Sequence, residues 1–491
     1  WRFNGTNISN ATNANYTLAN IQTTNAGNYT VVVTNSTGGN TSAVATLTVN
    51  PLFTPVFLDR FDTNSSANWT LSTSTNNNRI TFAYDYSAIG IPSAPNSIGG
   101  TTKGLRLEAN LNAGAAAALN VSPIGQSFFG NYRLHFDMWI NVNGPLPGGG
   151  TGSTEAITAG VGTLGNRIQW TGSGTTADGV WFEVDGEGGS ANTSISQGDF
   201  AAFAGATIYA TNSTVYAAGA TTTSRDNDDL YYANVFPGGQ TPPAFQVSNY
   251  AQQTGALDPG TVGFAWRDVV INKSGGTVEW FLDGLKIATV TGASITASNV
   301  FVGYWDPYNS VSDNTNLSFG VVDNLRVEVP AVAPTISAQP QNVFVKVTSN
   351  ATFTVTASGI PAPAYQWRLN GTNLAGATSA SYTRVNSQYT NAGNYSLVIT
   401  NLAGSLTSSN ALLTILTAAP AQFQSFTLQP DNSLQLLLAG DPGATYYVES
   451  STNLVNWSAF TNLSLTGGTF TFNAGWVTND VQRYFRARSG P

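Results

Sequence analysis

Hydrophobic and polar residues alternate with period two over much of this chain, the pattern of half-buried strands. Residues 29–34 (YTVVVT) and 45–49 (ATLTV) follow it near the start. Residues 131–142 (NYRLHFDMWINV) put Tyr132, Leu134, Phe136, Met138 and Ile140 on one face. Arg133, His135, Asp137, Trp139 and Asn141 take the other. Residues 264–290 read as a meander turning at Gly275-Gly276 and Asp283-Gly284. Residues 318–329 read as a closing strand. Further strands are expected at 343–348, 351–359, 364–371, 380–385, 393–400 and 410–416, then within 445–460, 468–475 and 482–488. The predicted fold class is all-β, a series of β-sandwich domains.

The chain repeats itself. Adding 366 maps residues 1–50 onto 367–416 without a gap: WRFNGTN (1–7) onto WRLNGTN (367–373), and TNAGNYTVVVTN (24–35) onto TNAGNYSLVITN (390–401). Proline-bearing linkers at 50–55 and 329–334 bound a different region, about 52–330. A further linker, 417–422, precedes a short segment, 418–491. Long Gly/Ser/Thr/Ala stretches, 144–178 and about 186–262, read as loops or insertions.

Residues 333–416 resemble the immunoglobulin superfamily. Trp367 stands at the core tryptophan of the third strand, and NAGNY (391–395) resembles the family's Asp-x-Gly-x-Tyr, with Tyr395 as the tyrosine-corner residue. The family's two cysteines are replaced by Val355 and Leu397, and its aspartate by Asn391. Residues 1–50 then form a partial copy of this domain. Region 52–330 resembles the concanavalin A-like lectin/glucanase superfamily in its opening LDRFD…W (58–69), its meander and its terminal VVDNLRV (321–327). That resemblance implies a jelly roll with first and last strands side by side. Segment 418–491 is similar to the fibronectin type III-like domains of secreted multidomain bacterial proteins.

Composition narrows the function classes. Among 491 residues only 9% are charged, against ~25% in ordinary domains. The surface must therefore be built from Asn, Thr, Ser and Gly, and an extracellular or cell-surface protein is expected. A net charge of −8 argues against nucleic-acid partners. No apolar run reaches ~18 residues, so no membrane span is expected. Absence of cysteine removes disulfides and thiolate chemistry. Asn-x-Ser/Thr sequons, as at Asn4, Asn28, Asn68, Asn192 and Asn394, are either glycosylation sites or products of composition.

Few constellations carry chemistry. Glu183, Asp185 and Glu187 form Glu-x-Asp-x-Glu, resembling the catalytic motif of retaining glucanases of the lectin/glucanase superfamily. On a strand all three would share a face, one as nucleophile and one as general acid/base. Gly186 departs from the family's apolar residue, so the alternative is a solvated acidic hairpin. His135 is the one histidine, which excludes histidine metal clusters. With Asp137 and Trp139 it forms either a sugar-binding face, to which Trp305 and Tyr308 would add aromatic platforms, or a sheet face covered by loops. Calcium is the plausible metal. The resemblance puts it between the first and last strands, at Asp323 and Asp62, with Arg60 where the family has an acid; 225–229 and 305–313 are alternative loops.

The reading favoured is a non-enzymatic structural or adhesive surface protein, the subunit of a fibre or coat, with a lectin-like domain for glycans. The alternative is a secreted glycan-binding protein or a glycoside hydrolase using the Glu183 triplet. Residues 1–50 lack the counterparts of 333–366. The chain is therefore expected to be a piece of a longer protein, or else to take the missing strands from another copy. In the second case Trp1 and Tyr29 would be assembly residues.

Overall fold

The computed structural model describes residues 1–9, 11–18, 25–47, 52–112, 114–152, 154–172, 176–188, 198–416, 418–475 and 482–489. The sequon at Asn192 lies outside them. The chain divides into two compact units: Phe53–Pro330, and Trp1–Leu52 together with Ala331–Pro491. In both, the regular secondary structure is almost wholly strand. Among the described residues no helix is long and apolar enough to cross a membrane.

Among the described residues the central unit carries fifteen strands. In chain order they are β1 (Phe53–Asp59), β2 (Trp69–Thr73), β3 (Arg79–Asp85), β4 (Lys103–Glu108), β5 (Ala117–Pro123), β6 (Tyr132–Asn141), β7 (Ala156–Thr163) and β8 (Val180–Asp185). There follow β9 (Phe200–Ala204), β10 (Thr207–Ile208), β11 (Arg267–Ser274), β12 (Thr277–Leu282), β13 (Leu285–Thr291), β14 (Asn299–Asp306) and β15 (Phe319–Pro330). One sheet has the order β13-β12-β11-β6-β15-β4-β3, with β1 also paired to β15. The other has the order β10-β9-β8-β7-β14-β5-β2. First and last strands thus lie side by side, Phe57 opposite Val327.

Alternation sets the interior. Leu134, Phe136, Met138 and Ile140 of β6 pack in one cluster with Ile157 and Ala159 of β7, Phe182 and Val184 of β8, and Trp280 of β12. Burying each large side chain contributes ~1.5–3 kcal/mol. The Asp-Gly turn between β12 and β13 forms as expected, with Asp283 and Gly284 both at positive φ (49° and 79°). The supposed loop stretches are corrected: 144–178 contains β7, and 186–262 contains β9, β10 and two short helices, Leu230–Ala233 and Ala244–Asn249. Strand β7, AITAGVGT, is buried along its whole length, so it shows no polar alternation. Its small residues answer to large neighbours. A β-carbon at Gly160 would lie 2.4 Å from Trp181 Cβ.

Residues 332–416 form an immunoglobulin-like sandwich. Trp367 is fully buried and faces Leu397 across the strand pair, with Val355 in the same cluster. Apolar contact stands where the family has a disulfide. Tyr395 Oη donates to Asn391 O at 3.0 Å, closing the tyrosine corner. The repeat near the start copies this at the level of single bonds. Trp1 Nε1 donates to Asn13 O as Trp367 Nε1 does to Ser379 O. Tyr29 Oη donates to Asn25 O at 2.8 Å. Tyr29 is buried, but Trp1 is only half-buried. Residues 418–475 and 482–489 fold as two three-stranded sheets around Leu438, Tyr446 and Val448.

Because Leu397 packs where a disulfide would lie, Leu397→Ala should destabilise the immunoglobulin-like domain by about 2–5 kcal/mol. Chemical denaturation checks this. A loss under about 1 kcal/mol would mean that the Trp367 shell does not rest on this contact.

Candidate functional site

With Phe182 and Val184 held inward, Trp181, Glu183 and Asp185 of β8 face outward from the seven-stranded sheet. In the ladder with β7, Thr158 opposes Glu183 and Ala156 opposes Asp185. Two residues further, Thr154 Oγ1 donates to Glu187 Oε1, so the alternation runs past the formal end of β8. Gly186 permits it. A β-carbon there would point inward, 2.5 Å from Ile140 Cγ2. The three carboxyls therefore form one row on one face.

An apolar floor surrounds the row. Trp181 stacks on Phe203 at 3.7 Å with rings 2° from parallel. Phe301 and Trp305 complete the cluster, with Trp170 packed against it. Above this floor lies a cavity of about 350 Å³, lined among others by Trp170, Glu183, Arg225 and Trp305. Trp305 Nε1 is buried with no hydrogen-bond partner among the described residues. Burial raises the Glu183 carboxyl to about 8; the Arg225 charge opposes the shift and the Asp185 charge adds to it. Burial pushes the Asp185 and Asp199 carboxyls upward, Asp199 strongly.

Other expected site residues lie elsewhere. His135, Asp137 and Trp139 are on β6 in the opposite sheet, and that face is covered. Asp137 Oδ1 accepts from Asn96 Nδ2 at 2.6 Å and Asp137 Oδ2 from Asn324 Nδ2 at 2.8 Å. Trp139 is 4% exposed beneath Phe264 and Trp266. It is no stacking platform. His135 Nε2 lies 2.5 Å from Asp268 Oδ1, and Nδ1 lies 3.1 Å from Glu328 Oε2. Burial disfavours the imidazolium, but these two hydrogen bonds outweigh it and raise the His135 pKa. Burial likewise opposes ionisation of Glu328, yet hydrogen bonds from His135 and Arg133 bring it down to about 2.

Trp305 reaches the cavity, but Tyr308 is not among its lining residues; the Tyr308 amide donates to Asp306 Oδ1. Asp323 is held by protein donors. Its Oδ2 accepts from Tyr86 Oη and Ser97 Oγ, and its Oδ1 from the Asn324 amide. Among the described residues no three His, Cys, Asp or Glu side chains form a metal-holding group. Sequence reasoning missed Trp170 and Asp199, both within stretches read as loops. A single large aromatic in a Gly/Ser/Thr tract was the available signal for Trp170.

An immunoglobulin-domain family model matches residues 333–428. Endoglucanase C of Cellulomonas fimi is 36% identical over 108 residues, 21% of this chain and 10% of that protein. The chain thus spans about a tenth of that relative. Among solved structures, a chimeric titin Z1Z2 carrying a decorin peptide is 34% identical, covering 18% of this chain and 98% of its own, with a TM-score of 0.17. Titin z1z2 in complex with telethonin is 24% identical, covering 33% and 96%, with a TM-score of 0.21.

Two buried carboxyls set an expected pH profile. Burial raises Asp306 and Asp323 from the usual 3.8 to about 7. Their contribution to stability is complete below about 4 and is lost as pH rises through about 7. The His135 contribution, complete below 6.5, also falls as pH rises through its raised pKa. The Glu328 contribution has the opposite sign: it is present above 4.5 and lost only as pH falls through about 2. The central unit should therefore melt at a higher temperature at pH 5 than at pH 8, and Asp306→Asn should flatten the difference. Equal or higher melting at pH 8 would refute this.

Proposed function

We propose that this chain belongs to a multidomain extracellular protein that binds glycans in the cleft above the seven-stranded sheet. The observation that carries the reading is the cleft itself, lined by a half-buried Trp170 ring together with Trp305, Glu183 and Arg225. Apolar rings with a few convergent polar groups are what a sugar ring requires, since it offers C–H faces and a hydroxyl rim. The two-sheet architecture with adjacent first and last strands supports the lectin/glucanase resemblance. The immunoglobulin-like domain, and the C-terminal segment read as fibronectin type III-like, then serve as adhesive or spacer modules.

The full chain should score on a glycan array, and Trp170→Ala should weaken the best hit at least tenfold by calorimetry. Asn272→Ala, on the opposite sheet, should leave affinity unchanged. An array without hits would defeat the reading.

The row of Glu183, Asp185 and Glu187 favours a second reading, retaining glycoside hydrolysis. One carboxylate would attack the anomeric carbon while another, protonated, gives its proton to the leaving oxygen; water, giving a proton to that second carboxylate, then attacks the anomeric carbon and frees the sugar from the first. Reducing ends should be released from a β-glucan, and Glu183→Gln should lower that rate by at least ~10²-fold. Wild-type chain that binds glycans without cleaving them would leave only the first reading.

A further inference from the structure

Between the immunoglobulin-like domain and the C-terminal segment the sequence reads as a linker, 417–422, and domains joined by linkers move freely by default. The structure leaves this connection little room. The last immunoglobulin-like strand ends at Leu416. Two residues on, Ala418 is already buried in the C-terminal core with Leu438, Tyr446 and Val448. Ala419 is tied on both sides of its backbone. Its amide donates to Asp441 Oδ2 at 2.7 Å, and its carbonyl accepts from Tyr446 Oη at 2.8 Å.

Two contacts then cross from one domain to the other. Lys346 stands opposite Leu416 in a parallel ladder, at the point where the chain leaves the immunoglobulin-like domain. Its Nζ lies 2.7 Å from Asp441 Oδ1. Asp441 thus holds the linker with one oxygen and the neighbouring domain with the other. Two residues further along each segment, Thr348 meets Gly443. A β-carbon at Gly443 would lie 2.6 Å from Thr348 Oγ1, so the glycine is what lets the two approach. Thr348 itself has φ 71°, a costly conformation for a β-branched residue, and its amide donates to Ser387 O at 2.7 Å. Such strain persists only where the surroundings fix it. An exposed ion pair alone holds little. Here it acts together with a close backbone approach and a pinned linker.

We propose that residues 346–348 and 441–443 form a strap that locks the two domains into one rigid spacer. The C-terminal segment would then present its surface in one orientation instead of swinging about residues 417–421. No residue of the strap lines the cleft, so the strap stands or falls independently of glycan binding.

The chain has no cysteine, so Thr407→Cys and Asn456→Cys, both at exposed positions, give the full chain two spin labels and no others. Their distance distribution, measured by pulsed electron paramagnetic resonance, should be a single narrow peak. A free linker of residues 417–421 would spread its ends over roughly 12 Å. The Lys346→Glu/Thr348→Gly double variant should broaden the peak toward that spread, because it removes both crossing contacts, and neither residue belongs to an apolar core. Should the double variant not fold, Lys346→Glu alone, at an exposed position, carries the same expectation. A wild-type peak already that broad overturns the proposal. So does a narrow peak that survives in the folded variant, because another contact then sets the orientation.

Discussion

The face-to-face apolar contact between the two sheets of the central unit is the constraint on which its other features depend. Phe182 of β8 stacks on Trp280 of β12 across that contact, ring centres 5.0 Å apart. Once Phe182 and Val184 are committed inward, period two sends Trp181, Glu183 and Asp185 outward. A slip of one residue would bury Glu183 in the core and expose Phe182. The carboxylate row is thus held by residues that never touch it. Gly186 extends the same logic by one step, because only a residue without a β-carbon fits against Ile140.

The scarcity of charge takes on a meaning in this frame. A chain with 9% charged residues leaves its surface to Asn, Thr, Ser and Gly, and spends several of its carboxylates inside. Asp137 and Asp323 fasten the segment around residues 86–97 over the eight-stranded sheet. Asp306 fastens Asn110. Glu108 pairs with Arg106 at 2.9 Å. Buried charges of this kind add little net stability but fix where loops go. Here they close one sheet face, over His135 and Trp139, and leave the other partly open.

Much of this was legible in the sequence, and what was hidden has physical causes. The 366-residue offset predicted the immunoglobulin-like repeat, and the structure repeats it in single bonds. Arg2 Nε meets Asn7 Oδ1 as Arg368 Nε meets Asn373 Oδ1. Alternation placed both faces of β6 and the outward pair Glu183 and Asp185. It was silent on coverage, because an outward residue and a loop-covered one have the same period. Hence alternation left His135 and Trp139 open between a sugar-binding face and a covered one, and the face is covered. Strand β7 was unreadable since both its faces are buried and its small residues answer to partners far along the chain, Trp181 and Phe301. The cleft is non-local in the same way: sheet pairing sets Glu183 and Trp305, while Trp170 and Arg225 come from loops.

That non-local assembly bears on how well the cleft is prepared for a ligand. Its floor consists of side chains on β8, β9 and β14, locked by the Trp181–Phe203 stack, and Trp181 Nε1 is tied to Gly205 O at 2.7 Å. Its wall is a loop, yet a pinned one. Gln169 Nε2 donates to Asp178 Oδ1 at 2.7 Å, and the Asp178 amide donates back to Gln169 Oε1 at 2.9 Å. The Gln169 amide donates to Asn120 Oδ1, and Asn120 Nδ2 donates to Arg167 O. These bonds hold the residues on the N-terminal side of Trp170 before any ligand arrives. The entropy of ordering the ring is met on folding rather than on binding, so more of each contact is left to appear as affinity.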